Sequence, residues 1–290
     1  MAKLGVVTDG ISRDFEHALQ VMTDADLDYA ELQFLWEKEV GDLADEEMAR
    51  ATNLVKKYGV RVSCISRHNF AGMSVGDTEV GDANHQKHMD STKRCIDMAK
   101  AFGTDLVRIM SFRKEMILFG CNGAEVWNAN NEAWAKLLEL LEPVVEMAEA
   151  EDVTLVVETG NNAMITSAVL GHKLIDDLGT SHLKVLWDPA NSLYCNEAAY
   201  PDGYDALRGG YLGHIHIKDS NVDIPRASVE QCSLGSGQMA PFLDDIARCL
   251  EEDNYDGAIS LESVYHPDEG TFEEGFAASI DRFKQIFGNT

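Results

Sequence analysis

A glutamate closes a short apolar run in the segment Leu155-Val156-Val157-Glu158-Thr159-Gly160-Asn161-Asn162. Glycine and asparagine follow the run almost at once, which is typical of a buried β-strand that ends in a loop. Two other segments have the same form, Val185-Leu186-Trp187-Asp188-Pro189-Ala190-Asn191 and Ile259-Ser260-Leu261-Glu262-Ser263. A fourth, His214-Ile215-His216-Ile217-Lys218-Asp219, carries two histidines and ends on charged residues. Each segment predicts a strand with a chemically active side chain at or near its end.

The same pattern recurs along the whole chain and predicts eight strands. Stretches with helical spacing of apolar residues separate them, among them Glu46–Tyr58, His85–Phe102, Glu132–Glu151 and Thr271–Phe287. A doubly wound sheet typically needs about five or six strands, so eight strand–helix units favour an α/β fold of the closed (β/α)8 type. We expect one such TIM barrel domain over residues 1–290. The predicted strands are Leu4–Thr8, Tyr29–Phe34, Arg61–Ser66, Asp105–Ser111, Val153–Thr159, Leu183–Asp188, Gly213–Asp219 and Gly257–Ser263.

The C-terminal ends of the strands in such a barrel form one face, and active sites are built there. Two longer irregular stretches, residues 67–83 and 220–238, follow the third and the seventh predicted strands and therefore belong to that face. Gly59, Gly103 and Gly179 each precede a predicted strand. They are predicted to end the helix before that strand, because glycine adopts the left-handed conformation of a helix C-terminus without strain.

Four side chains at consecutive strand ends match the ligands of a divalent metal ion. A carboxylate at the end of an apolar strand is costly to bury unpaired, and several on one rim repel each other unless a cation lies among them. Carboxylate oxygens with one imidazole suit Mn2+, our first choice, and also Mg2+, Co2+ or Zn2+. The alternative is that each acid caps the following helix or forms a local ion pair. The four candidate ligands are Glu158, Asp188, His216 and Glu262.

Side chains alternate along a strand, so His214, His216 and Lys218 share one face of the seventh predicted strand. His216 lies nearer the end of the strand and is the better ligand. We interpret His214 as a deeper group that either supports the ligand or reaches the substrate. Lys218 is a candidate catalytic residue, which would stabilise an oxyanion or pair with Asp219.

The composition excludes several classes of partner. The chain has 24 Lys and Arg against 50 Asp and Glu, a formal charge of −26, which repels nucleic acid and anionic membrane surfaces. Hydrophobic residues make up 45% of the chain, too many for a disordered acidic protein. The N-terminal residues read as neither a signal peptide nor a membrane anchor, and the six cysteines form no CxxC pair, so we expect a cytoplasmic protein with reduced thiols.

The four segments quoted above resemble those of the sugar isomerase/epimerase family with the xylose-isomerase-like TIM barrel. That family also includes ketose 3-epimerases, hydroxypyruvate isomerases, inosose dehydratases and endonuclease IV-type nucleases. The resemblance covers essentially the whole chain and implies one divalent metal ion at the four positions, with Glu158 and Glu262 also acting as proton donor and acceptor. Such barrels often pair or form tetramers, so the resemblance implies a homo-oligomer and leaves room for an accessory subunit.

Three departures from the family pattern bear on the substrate. Asn191 stands where ketose 3-epimerases usually have a histidine, Val222 stands where they have an arginine, and the loop Leu234–Gly237 lacks the acid that many members carry there. The first two positions help to hold a ketose. Asn191 also replaces a ligand of the three-metal nucleases, and the charge of −26 argues against DNA.

Three functions follow from this interpretation. The first is a metal-dependent isomerase or epimerase that acts on a neutral keto-sugar through a metal-stabilised enediolate. The alternative is a metal-dependent lyase, either a dehydratase or a deglycosidase of 3-oxo-glycosides or C-glycosides, which eliminates a β-substituent from the same enolate. The third is a sugar- or metal-binding protein without catalysis, which would have no need of two acid–base glutamates.

Other side chains predicted on the rim are candidate contacts to a small sugar or glycoside substrate. Glu31 and Arg108 end the second and fourth strands, and a guanidinium would donate hydrogen bonds to a sugar oxygen. His85 and His88 lie three residues apart on a helix, where a solvent-exposed face is the preferred interpretation over a metal site. Apolar loop residues available to the site are Phe34, Trp36, Phe112, Met116, Phe119 and Trp127. The predicted substrate-binding residues are His68, Arg108, Asn191, His214, His266 and Trp36.

Overall fold

Eight parallel strands close into a barrel in the part of the chain that the structure describes, with each strand hydrogen-bonded to its neighbours in sequence and β1 to β8. The structure is a computed structural model that describes residues 3–117, 119–120 and 132–288. The predicted (β/α)8 barrel is therefore confirmed. The strands are β1 Lys3–Val7, β2 Tyr29–Leu32, β3 Arg61–Ser66, β4 Leu106–Ile109, β5 Thr154–Glu158, β6 Leu183–Trp187, β7 Leu212–Ile217 and β8 Ala258–Leu261.

Helices follow the strands and cover the outside of the barrel. Gly59, Gly103 and Gly179, with φ of 69°, 77° and 65°, end α2, α3 and α5 as predicted. Side-chain caps begin several helices, as where Ser167 accepts the N–H of Leu170 at the start of α5. The helices of the described residues are α1 Phe15–Asp24, α2 Asp45–Tyr58, α3 Ala83–Phe102, α4 Ala133–Glu151, α5 Ala168–Leu178, α6 Ser192–Cys195, α7 Tyr204–Leu207, α8 Leu243–Glu252 and α9 Phe272–Phe287.

The main core lies between the strands and the helices. In β5, Leu155 and Val157 belong to this outer core. Val156 points the other way, into the barrel, where it packs with Cys64 and Leu186 in a small separate cluster. Above that cluster the barrel interior is polar, because the inward positions nearer the C-terminal ends carry charged and imidazole side chains.

Two short hairpins extend the C-terminal face. One joins Phe34–Leu35 to Lys38–Glu39, and the other joins Asp219–Asp223 to Ser228–Cys232 through five residue pairs. The prediction that residues 220–238 are wholly irregular is therefore wrong. The second hairpin is polar and half-exposed, so its strands lack the apolar alternation by which a sequence reveals a strand.

The interpretation of His85 and His88 as a solvent-exposed face of α3 is also wrong. His85 is buried, and its Nε2 lies 3.0 Å from the carbonyl oxygen of Leu140 in α4. Nδ1 of His88 accepts the N–H of Phe70 at 3.0 Å. Both histidines hold α3 against neighbouring segments, a contact that periodicity within the helix does not reveal.

Trp127, predicted as an apolar loop residue, and Cys121, one of the six cysteines, lie outside the described residues. Within the described part of the chain, no helix combines the length and the apolar character needed to cross a membrane.

Candidate active site

The four candidate metal ligands lie at the C-terminal end of the barrel, and three of them, Glu158, His216 and Glu262, bring ligand atoms within 4.8 Å of one another. Glu158 is the last residue of β5, Asp188 follows β6, His216 lies in β7 and Glu262 follows β8. Strand register explains why they meet, since Glu158 is level with Leu186, and Ser260, two residues before Glu262, is level with His216. Nδ1 of His216 lies 3.8 Å from Oε1 of Glu158 and 3.7 Å from Oε2 of Glu262.

Glu31 orients this histidine from below. Oε1 of Glu31 lies 2.8 Å from Nε2 of His216, and Oε2 lies 2.7 Å from Nε2 of His214. The hydroxyl of Ser66 also donates to Oε1. In the neutral imidazole, Nε2 of His216 donates its proton to Glu31, so that Nδ1 carries the lone pair and faces Glu158 and Glu262. This Nδ1 is buried and has no hydrogen-bond partner among the described residues, which is what a ligand nitrogen requires.

His214 lies one layer deeper than His216 and is fully buried. Its Nε2 is shared between Glu31 and the hydroxyl of Ser260, at 2.7 Å and 3.2 Å. This position matches the supporting role considered for His214 and not a contact with substrate.

Lys218 bridges two of the candidate ligands. Its Nζ lies 2.5 Å from Oδ2 of Asp188 and 2.6 Å from Oε2 of Glu262. Pairing with Asp219, one of the two expectations for Lys218, does not occur. Asp219 is buried and instead accepts backbone N–H groups of the loop that follows the second hairpin, those of Gly235, Gly237 and Met239 at 2.9 Å each.

Arg108 is buried beside Glu158 and is not open to the cavity mouth. One terminal nitrogen donates to Oε2 of Glu158 at 3.0 Å, and the other donates to the carbonyl oxygen of Ser66 at 3.0 Å. The guanidinium therefore fixes the orientation of the Glu158 carboxylate.

The balance of buried charge fits a dication. Four carboxylates, Glu31, Glu158, Asp188 and Glu262, face the cations Arg108 and Lys218, which leaves −4 + 2 = −2 when both histidines are neutral. Buried charge of one sign is costly, and a divalent ion would cancel it. The donor set and the unpartnered Nδ1 of His216 are thus suited to a divalent metal ion.

The pKa values reflect the same excess of negative charge. Burial opposes protonation of His216, but the Glu31 carboxylate and then the other acids raise its pKa to about 9. Burial raises the pKa of Asp188 to about 6, although Lys218 opposes the change. For Glu262 the effect of burial is outweighed by the Lys218 ammonium, which lowers its pKa to about 2. Without a dication, a proton on His216 offsets part of the negative charge.

A cavity of about 570 Å3 opens beside Glu262, between the loops that follow β1, β2 and β8. Its wall is mostly apolar and aromatic, with Ile11, Phe34 and Phe272. Asp9 lines it as well and is not among the site residues predicted from the sequence. The signal was present, since Asp9 directly follows the first predicted strand, at the end of the barrel where Glu158 lies in the fifth.

The remaining predicted contacts occupy different places. His266 lines the cavity. His68 stands beside it, with its Nδ1 2.8 Å from Oε1 of Glu39 and its ring 6.2 Å from that of Phe34. Asn191 is buried and donates from Nδ2 to the carbonyl oxygen of Thr159 at 2.7 Å.

The predicted apolar loop residues also lie in different environments. Phe34 lines the cavity, but Trp36 packs edge-on against Phe15 at 5.9 Å, with the guanidinium of Arg50 4.3 Å from its ring. Phe112 is buried in a stack on Phe70. Met116 and Phe119 are exposed.

No curated protein sequence matches the chain significantly. Solved structures with the same fold share little sequence with it. A xylose isomerase-like TIM barrel protein from Mycobacterium smegmatis, in complex with magnesium, has a TM-score of 0.68 at 16% identity, covering 95% of this chain and 88% of that one. The 3-keto-D-glucoside 4-epimerase of E. coli has a TM-score of 0.66 at 16% identity, covering 96% and 98%. The probable 3-DHS dehydratase AsbF from Bacillus anthracis has a TM-score of 0.69 at 15% identity, covering 94% and 97%.

These structural likenesses establish the fold. The family model for the xylose isomerase-like TIM barrel matches residues 19–286, which is most of the chain. The site described above lies almost wholly within that range, with only Asp9 and the loop after β1 before it. The chain therefore belongs to the xylose isomerase-like TIM barrel family.

Proposed function

We propose that the protein is a divalent-metal-dependent isomerase or epimerase of a neutral keto-sugar. The observation that carries the proposal is the buried Nδ1 of His216, which has no hydrogen-bond partner in the described structure and faces Glu158 and Glu262 at 3.8 Å and 3.7 Å. These three residues with Asp188 would hold the ion. Mn2+ is the first choice, with Mg2+, Co2+ or Zn2+ as alternatives. Among the structural relatives, the Mycobacterium smegmatis protein is a magnesium complex.

A divalent ion bound there supplies Lewis-acid polarisation of the substrate carbonyl. Glu158 and Glu262 project from β5 and from the end of β8, on either side of His216. One of the two carboxylates would remove the proton from the carbon beside the carbonyl, and the other would return a proton. This arrangement requires both carboxylates to keep their orientation while protons move.

Arg108 and Lys218 would provide that orientation. Arg108 holds Glu158 from within the barrel at 3.0 Å, and Lys218 holds Glu262 at 2.6 Å. The ammonium of Lys218, whose side chain is 11% exposed, would also stabilise negative charge on the enediolate oxygen of the substrate.

The test is a screen of free ketoses, inososes and keto-glycosides with Mn2+ in D2O, followed by NMR. We expect deuterium to enter at the carbon beside the carbonyl without release of a group. Glu158→Gln and Glu262→Gln should each lower that exchange by at least about a hundredfold, since general acid–base groups contribute about 10²–10⁴-fold. Glu230→Gln is the matched control because Glu230 is an exposed carboxylate of the second hairpin, on the same face of the barrel. Unchanged exchange in both active-site variants, or full activity after exhaustive chelation, would falsify the proposal.

A second candidate is elimination, which the size and apolar wall of the cavity favour. About 570 Å3 beside Glu262 leaves room for a substituent beyond a single sugar ring, and Ile11, Phe34 and Phe272 would contact an apolar one. The same deprotonation would then form a C=C bond as the bond to a β-oxygen or aglycone breaks, and that group leaves with the electron pair. The screen separates the two reactions, since elimination gives an unsaturated product or a freed aglycone and epimerisation gives neither.

The structural relatives include an epimerase and a probable dehydratase, so the family fold accommodates both chemistries. The cytoplasmic location, the homo-oligomer and the accessory subunit stay predictions from the sequence. A mass measurement in solution, with and without a candidate partner, tests the last two.

A further inference from the structure

The cavity beside Glu262 contains a carboxylate that the proposed proton transfers do not use. Asp9 lies in the single turn Thr8–Gly10 that follows β1, and it lines the cavity together with Glu262. The segments that carry the two acids touch. A Cβ on Gly10 would come within 2.8 Å of the carbonyl oxygen of Ser263, so the absence of a side chain at Gly10 lets the turn approach the loop that carries Glu262.

The carboxylate of Asp9 is held in place but not neutralised. Its partners among the described residues are backbone N–H groups, and that of Phe34 donates to Oδ1 at 3.2 Å. No described cationic side chain forms an ion pair with it. Arg13, which also lines the cavity, pairs with Glu37 at 2.6 Å and lies over the ring of Phe34.

An unpaired carboxylate in a mostly apolar cavity costs free energy, and burial accordingly raises the pKa of Asp9 above its usual range. A carboxylate offers about four acceptor positions, and the backbone N–H groups occupy only part of that capacity. Because Asp9 lines the cavity, the remaining acceptor capacity is available to a ligand bound there. A neutral group with O–H donors would satisfy it, whereas a carboxylate or phosphate would meet Asp9, Glu262 and the other acids of the rim with like charge.

We infer that Asp9 is a specificity-determining residue, which accepts hydrogen bonds from hydroxyl groups of the substrate and selects uncharged sugars against sugar acids and sugar phosphates. The inference rests on the proposed function for the place of the substrate. It adds which residue recognises the part of the sugar away from the reacting carbons. Gln33 lines the same cavity and is a polar side chain that would share this contact.

The test measures binding, which is separate from turnover. The Mn2+-supplemented protein is titrated with D-fructose and with D-fructose 6-phosphate by ligand-observed NMR, and the two dissociation constants are compared. We expect the wild type to bind the neutral sugar more tightly. Asp9→Asn keeps an oxygen that can accept the N–H of Phe34 but removes the charge. It should raise the dissociation constant for D-fructose by about tenfold or more. The ratio of the dissociation constant for the phosphate to that for D-fructose should fall by a similar factor.

Two controls make the result decisive. Glu230→Gln removes the same charge at an exposed position of the second hairpin, outside the cavity lining, and should leave both dissociation constants unchanged. The affinity for Mn2+, titrated alone, should be the same in Asp9→Asn as in the wild type. Asp9→Ser provides a second variant if the asparagine variant does not fold.

The inference is overturned if a folded Asp9 variant keeps the wild-type preference for D-fructose over D-fructose 6-phosphate. It is also overturned if the wild type binds the phosphate more tightly than D-fructose, or binds both equally well. A loss of Mn2+ affinity in Asp9→Asn also overturns it, because Asp9 would then support the metal centre. Failure of the proposed function is recognised differently. No ketose would exchange a proton with solvent in the presence of Mn2+, even if the binding preference depended on Asp9.

Discussion

At the scale of the residue, Glu31 has the greatest influence on the candidate site without being one of the four candidate ligands. Its two oxygens bind two imidazoles. Burial raises the pKa of this carboxylate, but His216 and His214 lower it by more and hold it well below the usual range. Glu31 thereby assigns the tautomer of His216. A ligand nitrogen that points at the carboxylates depends on this contact.

Glu31→Gln should therefore weaken metal binding although Glu31 is not a ligand. The amide can still occupy the space, but it holds the proton on Nε2 of His216 less firmly. Loss of such a supporting carboxylate typically costs about 10–100-fold in metal affinity. Calorimetric titration with Mn2+ measures the change. Glu39→Gln is the control, because Glu39 contacts a histidine of the rim that is not a candidate ligand, and equal affinities of Glu31→Gln and wild type would contradict the role assigned to Glu31.

The reactivity of the Cys95 thiol at a fixed pH tests whether this residue is buried. Burial raises its pKa to about 12, so the neutral thiol dominates up to that pH and the reactive thiolate is only about one part in 10⁴ at pH 8. We expect no labelling of Cys95 by a thiol reagent at pH 8 in the folded protein and rapid labelling in denaturant, where the pKa returns to about 8.5. Peptide mass spectrometry measures the label at this residue. Rapid labelling of Cys95 under native conditions is the result that excludes the buried environment.

At the scale of the element, α5 shows how closely the helices lie on the barrel. A Cβ on Gly171 would come within 2.6 Å of Cγ2 of Val185 in β6, so this glycine serves close packing. Val185 is β-branched and cannot swing aside in its strand. β6 in turn leads directly to Asp188, so the contact also bears on the position of a candidate ligand.

Gly171→Ala should lower the free energy of unfolding by about 1–2 kcal/mol. Overpacking costs about 1–3 kcal/mol, and the better helix propensity of alanine returns only part of it. Denaturant unfolding measures the difference. Val169→Ala is the control on the exposed side of the same helix, where a change within about 0.5 kcal/mol is expected, and a Gly171→Ala protein as stable as wild type would show that the helix moves outward at little cost.

At the scale of the whole molecule, we expect the repulsion that arises from the formal charge of −26 to outweigh the attraction within the surface ion pairs. Many of these pairs are exposed, as between Lys57 and Glu16, and such pairs contribute little. Repulsion among the excess carboxylates acts over the entire surface and destabilises the compact state.

Added salt should therefore stabilise the protein. Raising NaCl from about 0.01 M to 0.3 M shortens the Debye length from about 30 Å to below 8 Å and screens the repulsion. We expect the melting temperature to rise over this range, measured by thermal unfolding in a buffer without divalent ions. A melting temperature that falls with salt would mean that attractive pairs outweigh the net charge.

The barrel and its rim could be predicted closely from the sequence. Apolar β-branched runs that end on Glu158, Asp188 and Glu262 are a local signal, because burial on both faces demands continuous apolar residues and the loop begins where they stop. Strand register in a parallel barrel then places all strand ends on one face. The candidate ligands follow from these two facts.

The contacts of each of those side chains, in contrast, are set by the folded barrel. Glu31 lies far from His214 and His216 in the sequence, and Arg108 far from Glu158, yet each pair is in hydrogen-bond contact across the barrel. The cavity that Asp9 shares with Glu262 likewise joins the two ends of the chain. Periodicity along a chain reports which face of an element is buried, whereas closure of the barrel determines which distant side chains share that buried space. The sequence alone therefore determined the fold and the rim, and closure of the barrel decided how the side chains within it pair.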